Sequence, residues 1–293
     1  MKALIALAET GSIRGAARSM GLTQSALTKA LRELEAQTGA RLLVRETRGT
    51  RFTPAGSALL EHARLIVASL RRAEEDVRRL SGQAVASARI AVTPVVAVTK
   101  LTGIIQEFER RHPYGQLDID IGTMANAVQR LIDGRLDLVL GMATPAALPA
   151  DLDFRPMGEI LLAPVSGSER LARRPVSWEE LARERWLLSP VPGGADQAAL
   201  DWLEDKGVRL AHPPMLCRSP FLHAVLNRST DLISFCPTQI LEDVSLWGRG
   251  LHQLQVPDLP PPLPVGIMTR KHVPLSLAAR DIVEISSRLM QSI

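Results

Sequence analysis

The chain has 293 residues, 46% hydrophobic and 23% charged, which is typical of a globular protein with one small and one large domain. Its two cysteines, Cys217 and Cys236, are too few for a disulfide framework, and without a C-x-x-C spacing they give no metal-binding motif. We expect both thiols to be buried and inert. Residues 1–84 carry a net charge of +6 and the other 209 carry −2, so a polyanionic partner is expected only for the N-terminal part.

The sequence has no signal that would place the protein in a membrane or export it. The N-terminus has charges and no long apolar run, unlike a secretory signal. Nowhere does an uninterrupted apolar stretch approach the roughly 18 residues of a membrane span. We therefore expect a cytoplasmic protein.

The most informative segment is SIRGAARSMGLTQSALTKALRELE, residues 12–35. Together with the residues before it, this segment predicts helices over 3–9, 14–20 and 23 to about 37. Gly21 suits the positive φ of a tight turn, and Thr23 suits an N-cap that directs the helix dipole toward phosphate. The predicted buried stripe of the third helix consists of Ala26, Leu27, Ala30, Leu31 and Leu34.

The opposite face of the third helix is polar and has no acid before Glu33. It presents Gln24, Ser25, Thr28, Lys29 and Arg32. Such side chains donate hydrogen bonds to base edges and phosphates, so the segment indicates a helix-turn-helix whose third helix reads DNA. An ordinary pair of surface helices fits less well, because Ala17 is small where the two helices must cross and Leu27 fills the core between them.

Residues 41–54 predict a β-hairpin wing around a turn at Gly49. The hairpin carries Arg41, Arg45, Arg48 and Arg51 with a single acid, Glu46. Four arginines in so short a hairpin suit the backbone of an adjacent DNA groove.

Thr53 and Pro54 predict the start of a long helix that extends to residue 80. Along it, apolar residues alternate at spacings of four and three: Leu59, Ala63, Ile66, Leu70, Ala73, Val77 and Leu80. This narrow heptad seam favours pairing with a second copy of the chain over packing within one domain. A dimer of this kind would place two reading helices over two DNA half-sites.

From residue 88 onward, predicted strands alternate with predicted helices. The strands fall near 89–93, 117–121, 136–142, 159–165, 186–189, 214–217, 232–236 and 265–269, and a helix closes the chain at 276–291. The alternation predicts a largely parallel sheet with helices on both faces. The proline-rich run at 257–264 is expected to be an extended crossing segment.

These features, in this order, closely resemble the LysR-type transcriptional regulators. The matching residues are AETGSIRGAARSMGLTQSALTKALRELEAQTGARLLVR at 8–45, the helix from Pro54 to Leu80, and DGRLDLVLG at 133–141. The N-terminal motif is specific, whereas the C-terminal part matches mainly by its layout. Leu43 stands where the family commonly has Phe, and fewer residues than usual precede Ala8 and Glu9.

The resemblance implies an α/β fold class with three parts. These are a winged helix-turn-helix at 1–54, a dimerisation linker helix at 55–83, and a periplasmic-binding-protein-like effector domain at 88–293. The effector domain would have two lobes, lobe I at about 88–160 and 266–293 and lobe II at about 161–265. The resemblance also implies double-stranded DNA, a small-molecule effector and RNA polymerase as partners, a homodimer or homotetramer (a dimer of dimers), and no cofactor.

Carried over residue by residue, the DNA contacts of the family fall on the second and third helices and the wing. They are Ser12, Arg14, Thr23, Gln24, Ser25, Thr28, Lys29, Arg32, Arg45, Arg48 and Thr53. Gln24 and Arg32 suit base edges, because bidentate pairing with adenine or guanine is open to them. Ser12, Arg14, Arg45, Arg48 and Thr53 are expected to meet phosphates.

Ligands of open α/β sheets bind beyond the carboxyl ends of strands, often at helix N-termini. This rule selects Thr93, Pro94, Val95, Met124, Ala125, Asn126, Ser189, Gly193, Gly194, Phe221 and Phe235. Thr, Ser, Asn and Pro also begin helices without any ligand, so a helix cap and a pocket stay equal alternatives for each single residue. Hydroxyls, free backbone N–H groups and Phe221 favour a small acid, with an apolar or aromatic body, as the effector.

The sequence contains no catalytic constellation. The six histidines are scattered, the HExxH and GxSxG motifs are absent, and Gly248 and Gly250 form an isolated GxG. We therefore expect a regulator that is not an enzyme. Two alternatives stay open: a small-molecule receptor or α/β enzyme without a DNA function, and a DNA-binding protein whose C-terminal module only oligomerises.

Overall fold

The computed structural model describes residues 1–46, 49–80, 86–121, 124–241 and 250–290. The chain divides into two compact units, Met1–Ala84 with Asp133–Arg135, and Val85–Ile132 with Leu136–Ile293. Within the described ranges, no helix combines the length and the apolar character needed to cross a lipid bilayer.

Three helices open the first unit in the predicted helix-turn-helix arrangement. They are α1 (Lys2–Thr10), α2 (Ile13–Ser19) and α3 (Gln24–Thr38). Gly21 lies between α2 and α3 with a φ of +65°, a conformation that residues with a Cβ rarely adopt. The hydroxyl of Thr23 accepts a hydrogen bond from the N–H of Ala26 at 3.2 Å, so Thr23 caps α3.

The apolar face of α3 is narrower than the sequence predicts. Leu27 and Leu31 are buried and Leu34 packs against them partly buried, but Ala26 and Ala30 are exposed. The prediction is therefore wrong for the two alanines. The three leucines follow one another at i, i+4 and i+7 along one line of the helix, and around the helix Ala26 lies about 100° and Ala30 about 60° from Leu27.

An antiparallel hairpin, β1 (Leu43–Glu46) and β2 (Gly49–Phe52), follows α3. Oε1 of Glu35 accepts hydrogen bonds from the N–H of Leu42 at 2.8 Å and from that of Leu43 at 3.2 Å. These bonds tie the entry of the hairpin to α3. Helix α4 (Pro54–Leu80) begins next, and its Gly56 approaches the hairpin so closely that a Cβ there would overlap the carbonyl oxygen of Leu42.

The second unit contains a five-stranded sheet with helices on both faces. Its strands are β3 (Ser87–Val92), β4 (Gln116–Ile121), β5 (Leu138–Met142), β6 (Leu152–Ile160) and β12 (Leu263–Arg270), in the order β4-β3-β5-β12-β6. The helices around this sheet are α5 (Pro94–Thr99), α6 (Leu101–Arg111), α7 (Met124–Ile132) and α13 (Leu277–Leu289). Ile90 and Val92 of β3 lie in one apolar core, and Ala91 between them lies in another, as the alternation of a strand requires.

The expectation of a largely parallel sheet is confirmed only in part, because one strand, β12, runs against the other four. Strand β3 is parallel to β4 and to β5, but β12 runs antiparallel to both β5 and β6. Strand β12 comes from the far end of the sequence and enters between two strands that are consecutive in the chain. An alternation of strands and helices read along the sequence does not reveal such an insertion.

A second sheet is antiparallel throughout. Its strands are β7 (Leu162–Ser166), β10 (Ser234–Pro237) and β11 (His252–Gln253), in the order β10-β7-β11, and a short parallel pair, β8 (Leu187–Leu188) and β9 (Met215–Leu216), accompanies it. The helices here are α8 (Glu169–Ala172), α9 (Trp178–Leu181), α10 (Ala195–Asp205), α11 (Pro220–Ser229) and α12 (Thr238–Leu241). The chain passes between the two sheets at Leu161 and again through 254–262, which has neither helix nor strand.

Candidate functional sites

The polar side of α3 forms one shallow concave surface, which we call the α3 face. It is lined by Gln24, Ser25, Thr28, Lys29, Arg32, Glu33 and Ala36. All five side chains that the sequence places against DNA on this helix therefore share one surface. Thr28 is half-buried and the other four are exposed.

Most hydrogen-bond donors of the α3 face are available to a ligand. The hydroxyl of Thr28 donates to the carbonyl of Gln24 at 2.8 Å, which fixes that side chain. Nζ of Lys29 lies 3.8 Å from Oε1 of Glu33, but 79% of the Lys29 side chain is exposed. Such surface pairs contribute little stability, so the ammonium group of Lys29 can turn toward a phosphate. Arg32 adds an exposed guanidinium group with five N–H donors.

The start of α2 offers a second anion-binding feature. The hydroxyl oxygen of Ser12 accepts a hydrogen bond from the N–H of Gly15 at 3.1 Å and caps the helix. Its hydroxyl proton is left to donate elsewhere, and the side chain of Arg14 next to it is exposed. Both residues can therefore contact a phosphate, as the sequence predicts.

The structure describes Thr53 in full, but not the side chains of the other two predicted DNA-binding residues of the wing, Arg45 and Arg48. Arg45 pairs with Thr50 in the hairpin register, but its side chain, like the whole of Arg48, lies outside the described residues. The hydroxyl of Thr53 donates to the carbonyl of Arg41 at 2.7 Å and accepts from the N–H of Gly56 at 3.0 Å. Its only proton is thus engaged inside the protein, so in this arrangement Thr53 has no donor for a phosphate.

The predicted dimerisation seam divides into two parts along α4. Ala63 is fully buried in the core of the first unit and Leu59 is partly buried against that core, so neither is available to a second chain. Farther along, Ile66, Leu70 and Val77 are 52%, 51% and 65% exposed. Ala73 is exposed with them, and the side chain of Leu80 lies outside the described residues.

The second unit contains a cavity of about 200 Å³ lined from both sheets, which we call the inter-sheet cavity. Six residues that the sequence assigns to ligand binding line it: Thr93, Pro94, Met124, Ser189, Gly194 and Phe235. Apolar side chains cover most of the remaining wall, among them Met142, Leu162 and Ile240.

Four other predicted ligand residues, Val95, Asn126, Gly193 and Phe221, do not line the cavity. Val95 is fully buried in the core, whereas Asn126 and Phe221 are exposed to solvent, Phe221 by 65%. Gly193 has a φ of +73° in the turn before α10 and lies outside the cavity wall. The side chain of Ala125 is outside the described residues.

Sequence reasoning missed seven polar or cysteine residues of the cavity wall. They are Asp196, Cys217, Arg218, His223, Asn227, Ser234 and Cys236. Only Asp196 had a visible signal, an acid in the first turn of a helix that follows Gly193 and Gly194. The others lie within α11, within β10 or directly after β9, where no motif distinguishes them from core residues.

The two cysteines line the same cavity but differ in their surroundings. Burial raises the pKa of the Cys236 thiol to about 12, and the nearby charge of Asp196 adds to this rise. That thiol is therefore protonated and unreactive at neutral pH, as expected from the sequence. Cys217 is only half-buried, so the expectation of a buried thiol is wrong for this residue, and its Sγ lies 3.5 Å from the carbonyl oxygen of Ser219.

Charge in the inter-sheet cavity centres on Asp196. Its Oδ2 accepts a hydrogen bond from the N–H of Ser189 at 2.6 Å. Burial raises the pKa of this carboxyl group to about 6, although that hydrogen bond favours the ionised form. Burial lowers the pKa of His223, so its imidazole is neutral at pH 7. Arg218 also belongs to the wall but is exposed.

Three polar atoms of the cavity wall lack a hydrogen-bond partner among the described residues. They are Oγ1 of Thr93, Oγ of Ser189 and Oδ1 of Asn227. The amide nitrogen of Asn227 donates to Oγ of Ser234, which leaves the amide oxygen alone. Buried polar atoms are almost always paired in folded proteins, so three unpaired atoms around one cavity indicate a place for a polar ligand or water.

In the part of the chain that the structure describes, no group of histidine, cysteine and acidic side chains is arranged to hold a metal ion. Nε2 of His112 lies 2.6 Å from Oδ2 of Asp281, but neither residue lines the inter-sheet cavity. This pair joins the end of α6 to α13 and acts as a structural tie.

Comparisons with known proteins agree with the helix-turn-helix of the first unit and with the two-sheet fold of the second unit. The family described as the LysR substrate binding domain matches residues 81–291, and the bacterial regulatory helix-turn-helix proteins of the lysR family match residues 1–57. The transcriptional regulator TdcA of Escherichia coli K12 is 27% identical over 201 residues. That alignment spans 69% of this chain but only 64% of TdcA.

A second relative and a solved structure extend the likeness over more of the chain. The transcriptional regulator MetR of Salmonella typhimurium is 31% identical over 235 residues, which cover 78% of this chain and 68% of MetR. The crystal structure of full-length CbnR with its target DNA superposes with a TM-score of 0.67 at 18% identity, covering 98% of this chain and 97% of CbnR. At that identity the structural likeness concerns the fold.

Proposed function

The chain belongs to the LysR family of bacterial regulators, and from this premise we propose that it is a sequence-specific DNA-binding transcriptional regulator controlled by a small molecule. In this proposal the helix-turn-helix binds double-stranded DNA through the α3 face. The inter-sheet cavity binds the effector. The DNA-bound protein would change transcription from the promoter through contacts with RNA polymerase.

One observation carries the DNA-binding part: Gln24, Lys29 and Arg32 lie exposed on one surface of a capped helix, with Gln24 at its N-terminal end. Amide and guanidinium groups at that position suit base edges in a major groove. The positive charge of the chain is concentrated in the same N-terminal part, which supports attraction to phosphates.

The exposed part of the α4 seam supports a dimer of this chain. Ile66, Leu70, Ala73 and Val77 form an apolar row on a helix that is otherwise rich in charge. Pairing two such rows removes them from water and positions two α3 faces over a two-fold symmetric operator. We propose a homodimer on this basis, and a dimer of dimers by likeness to the family.

The cavity supports binding and not catalysis. Its wall is mainly apolar, its neutral imidazole is partly buried, and its Cys236 thiol is protonated. A nucleophilic thiol must ionise near the working pH, and burial holds the Cys236 thiol in its protonated form. We therefore propose an effector site in a protein without enzymatic activity.

The decisive experiment is a mobility-shift titration of the purified full-length chain on the DNA upstream of its own gene. We expect binding with a strong salt dependence, and a specific complex that survives an excess of unrelated DNA. The matched control is Gln24→Ala with Arg32→Ala, which should lose the specific complex but keep weak, salt-sensitive binding. Equal affinity of the unchanged chain for both DNAs, or no binding at low salt, would contradict the proposal.

A further inference from the structure

We propose that the effector is a small amine with an apolar body, bound as an ammonium ion that donates hydrogen bonds to the carboxylate of Asp196. The inference rests on the proposed function, because it names the ligand class of the inter-sheet cavity. It replaces the small acid that the sequence alone favours.

The carboxylate of Asp196 uses only part of its hydrogen-bonding capacity inside the protein. The residue lines the cavity from the first turn of α10, and Oδ2 accepts from the N–H of Ser189 at 2.6 Å. Among the described residues, none donates a hydrogen bond to Oδ1, and no lysine or arginine forms an ion pair with the group. A partly enclosed carboxylate thus lacks a counter-ion.

An ammonium ion would supply both the counter-ion and the hydrogen-bond donors that the carboxylate of Asp196 lacks. Removing a carboxylate from water is costly unless the protein or a ligand supplies charge and donors. An ammonium group brings a positive charge and three N–H donors, and charge-assisted hydrogen bonds are the stronger kind. The alternative role of Asp196, as an acid that favours the N-terminus of α10, accounts for its position but leaves Oδ1 unused.

Asn227 supplies a second acceptor in the same wall. Its amide nitrogen is engaged with Ser234, so the group turns its oxygen, Oδ1, away from that bond and leaves it without a described partner. The side chain is 2% exposed, which makes an unpaired acceptor there costly. Two acceptors without donors favour a ligand that is rich in N–H groups.

The same wall disfavours an acid. Of the cationic side chains that line it, Arg218 is exposed to solvent, and His223 is held neutral because burial lowers the pKa of its imidazole. A carboxylate in the cavity would therefore share the space with Asp196 and meet no enclosed positive charge of a described residue. Like charges in a partly dry site repel strongly.

The remaining residues of the cavity wall limit the size and the polarity of the part of the ligand that carries the ammonium group. Met124, Met142, Leu162, Phe235 and Ile240 surround a volume of about 200 Å³, which suits a few carbon atoms or one small ring. Thr93 and Ser189 add two hydroxyl groups without described partners, which can donate to or accept from a further polar group of the ligand.

The test uses pairs of probes that differ only in the charged group. Butylamine and pentanoate, isopentylamine and 4-methylpentanoate, and benzylamine and phenylacetate share a carbon body within each pair. Binding to the full-length chain is measured by saturation-transfer NMR and by calorimetric titration at about pH 7.5, where the carboxyl group of Asp196 is mostly ionised.

We expect at least one amine to bind at least tenfold more tightly than its paired acid. Asp196→Asn keeps the shape and the acceptor for Ser189, and it should weaken that amine roughly 10- to 100-fold. Asp205→Asn, on the exposed end of the same helix, is the matched control and should change nothing. Asp196→Ser, which keeps a small polar group at the helix start, replaces the Asn variant if that variant does not fold.

Three outcomes would overturn the inference: acids that bind as tightly as their paired amines, amine binding unchanged in Asp196→Asn, or no amine bound at all. DNA affinity, measured in parallel, separates this failure from failure of the proposed function. Tight binding of an acid that alters DNA affinity overturns only the amine. Loss of every small-molecule effect in a chain that also ignores its DNA would overturn both.

Discussion

The carboxylate of Glu35, in the fourth turn of α3, accepts hydrogen bonds from the backbone N–H of Leu42 at 2.8 Å and from that of Leu43 at 3.2 Å. One acid therefore positions the wing relative to α3, the helix that we propose reads DNA. Leu42 is buried, so its N–H has no access to water if the carboxylate is removed.

Glu35→Ala should lower the free energy of unfolding by about 1–3 kcal/mol, because two charge-assisted hydrogen bonds disappear and a buried donor is left unpaired. Urea denaturation of the full-length chain measures this. Glu33→Ala is the matched control, since its contact with Lys29 is an exposed pair at 3.8 Å, and it should stay within about 0.5 kcal/mol. Equal effects of the two substitutions would contradict the role of Glu35.

Replacing each of two helical glycines by alanine should change the free energy of unfolding in opposite directions. In Gly56→Ala the new methyl group would overlap the carbonyl oxygen of Leu42, which is backbone and cannot step aside. We expect a loss of at least about 2 kcal/mol, read from thermal or urea unfolding. In Gly103→Ala the nearest described atom, Cδ1 of Leu289, would be 3.6 Å away, so the change should stabilise α6 by about 0.5–1 kcal/mol.

Arg32→Ala should weaken DNA binding by about 1–3 kcal/mol, with most of the loss at one base pair of the operator. Arg14→Ala should weaken binding to all sequences alike, since its expected partner is a phosphate. Fluorescence anisotropy on a set of single-base operator variants distinguishes the two patterns. A uniform loss for Arg32→Ala would move that residue from base recognition to backbone contact.

Asp196 should make the stability of the chain depend on pH. Burial raises the pKa of this carboxyl group from 3.8 to about 6, so the folded state holds its proton more tightly than the unfolded state does. The stabilisation by that proton is complete below about pH 4 and is lost as the pH rises through about 6. Asp196→Asn should therefore stabilise the ligand-free chain at pH 7.5, by on the order of 2 kcal/mol, and have little effect at pH 4.

Other groups in the same cavity wall must be distinguished from Asp196 as the cause of the pH-dependent stability. They are the N–H of Ser189 and the thiol of Cys236, with Arg218 and His223 in the same cavity wall. Thermal unfolding of His223→Gln between pH 5 and 8 separates the imidazole from the carboxyl group. If His223→Gln removed the pH dependence, the assignment to Asp196 would be wrong.

Leu70→Glu should shift the chain from dimer toward monomer, because it places a charge within the exposed apolar row of α4. Leu70→Met keeps the apolar contact and should leave the dimer intact. Sedimentation velocity at several protein concentrations measures the association. A Leu70→Glu chain that remains a dimer would show that α4 does not hold the copies together.

The N-terminal unit was predictable because its signals are local. A glycine at the turn, a threonine cap and leucines at helical spacing lie within 15 residues of one another, and the structure has all three where the sequence places them. The role of Glu35 could not be predicted, since its carboxylate reaches the backbone of another element. Ala26 and Ala30 were misplaced because alanine is accepted equally on either face of a helix.

The cavity was only half predictable, for a different reason. Thr93 and Ser189 follow strands and Gly194 caps α10, so the general rule for ligand sites in α/β sheets selects them. Asn227 and His223 lie inside α11 and face the cavity only because that helix packs against the second sheet. Side chains of that kind depend on tertiary packing, which the spacing of residues along a single helix does not encode.

The placement of both thiols around one cavity provides a built-in label site. Cys236 is buried with a pKa of about 12, so a maleimide dye at neutral pH should react only at the half-buried Cys217. A fluorophore attached there would stand at the wall of the cavity, and its emission should change when a guest molecule enters. The fluorescence of the labelled native chain would then show whether a ligand occupies the cavity, without any engineered cysteine.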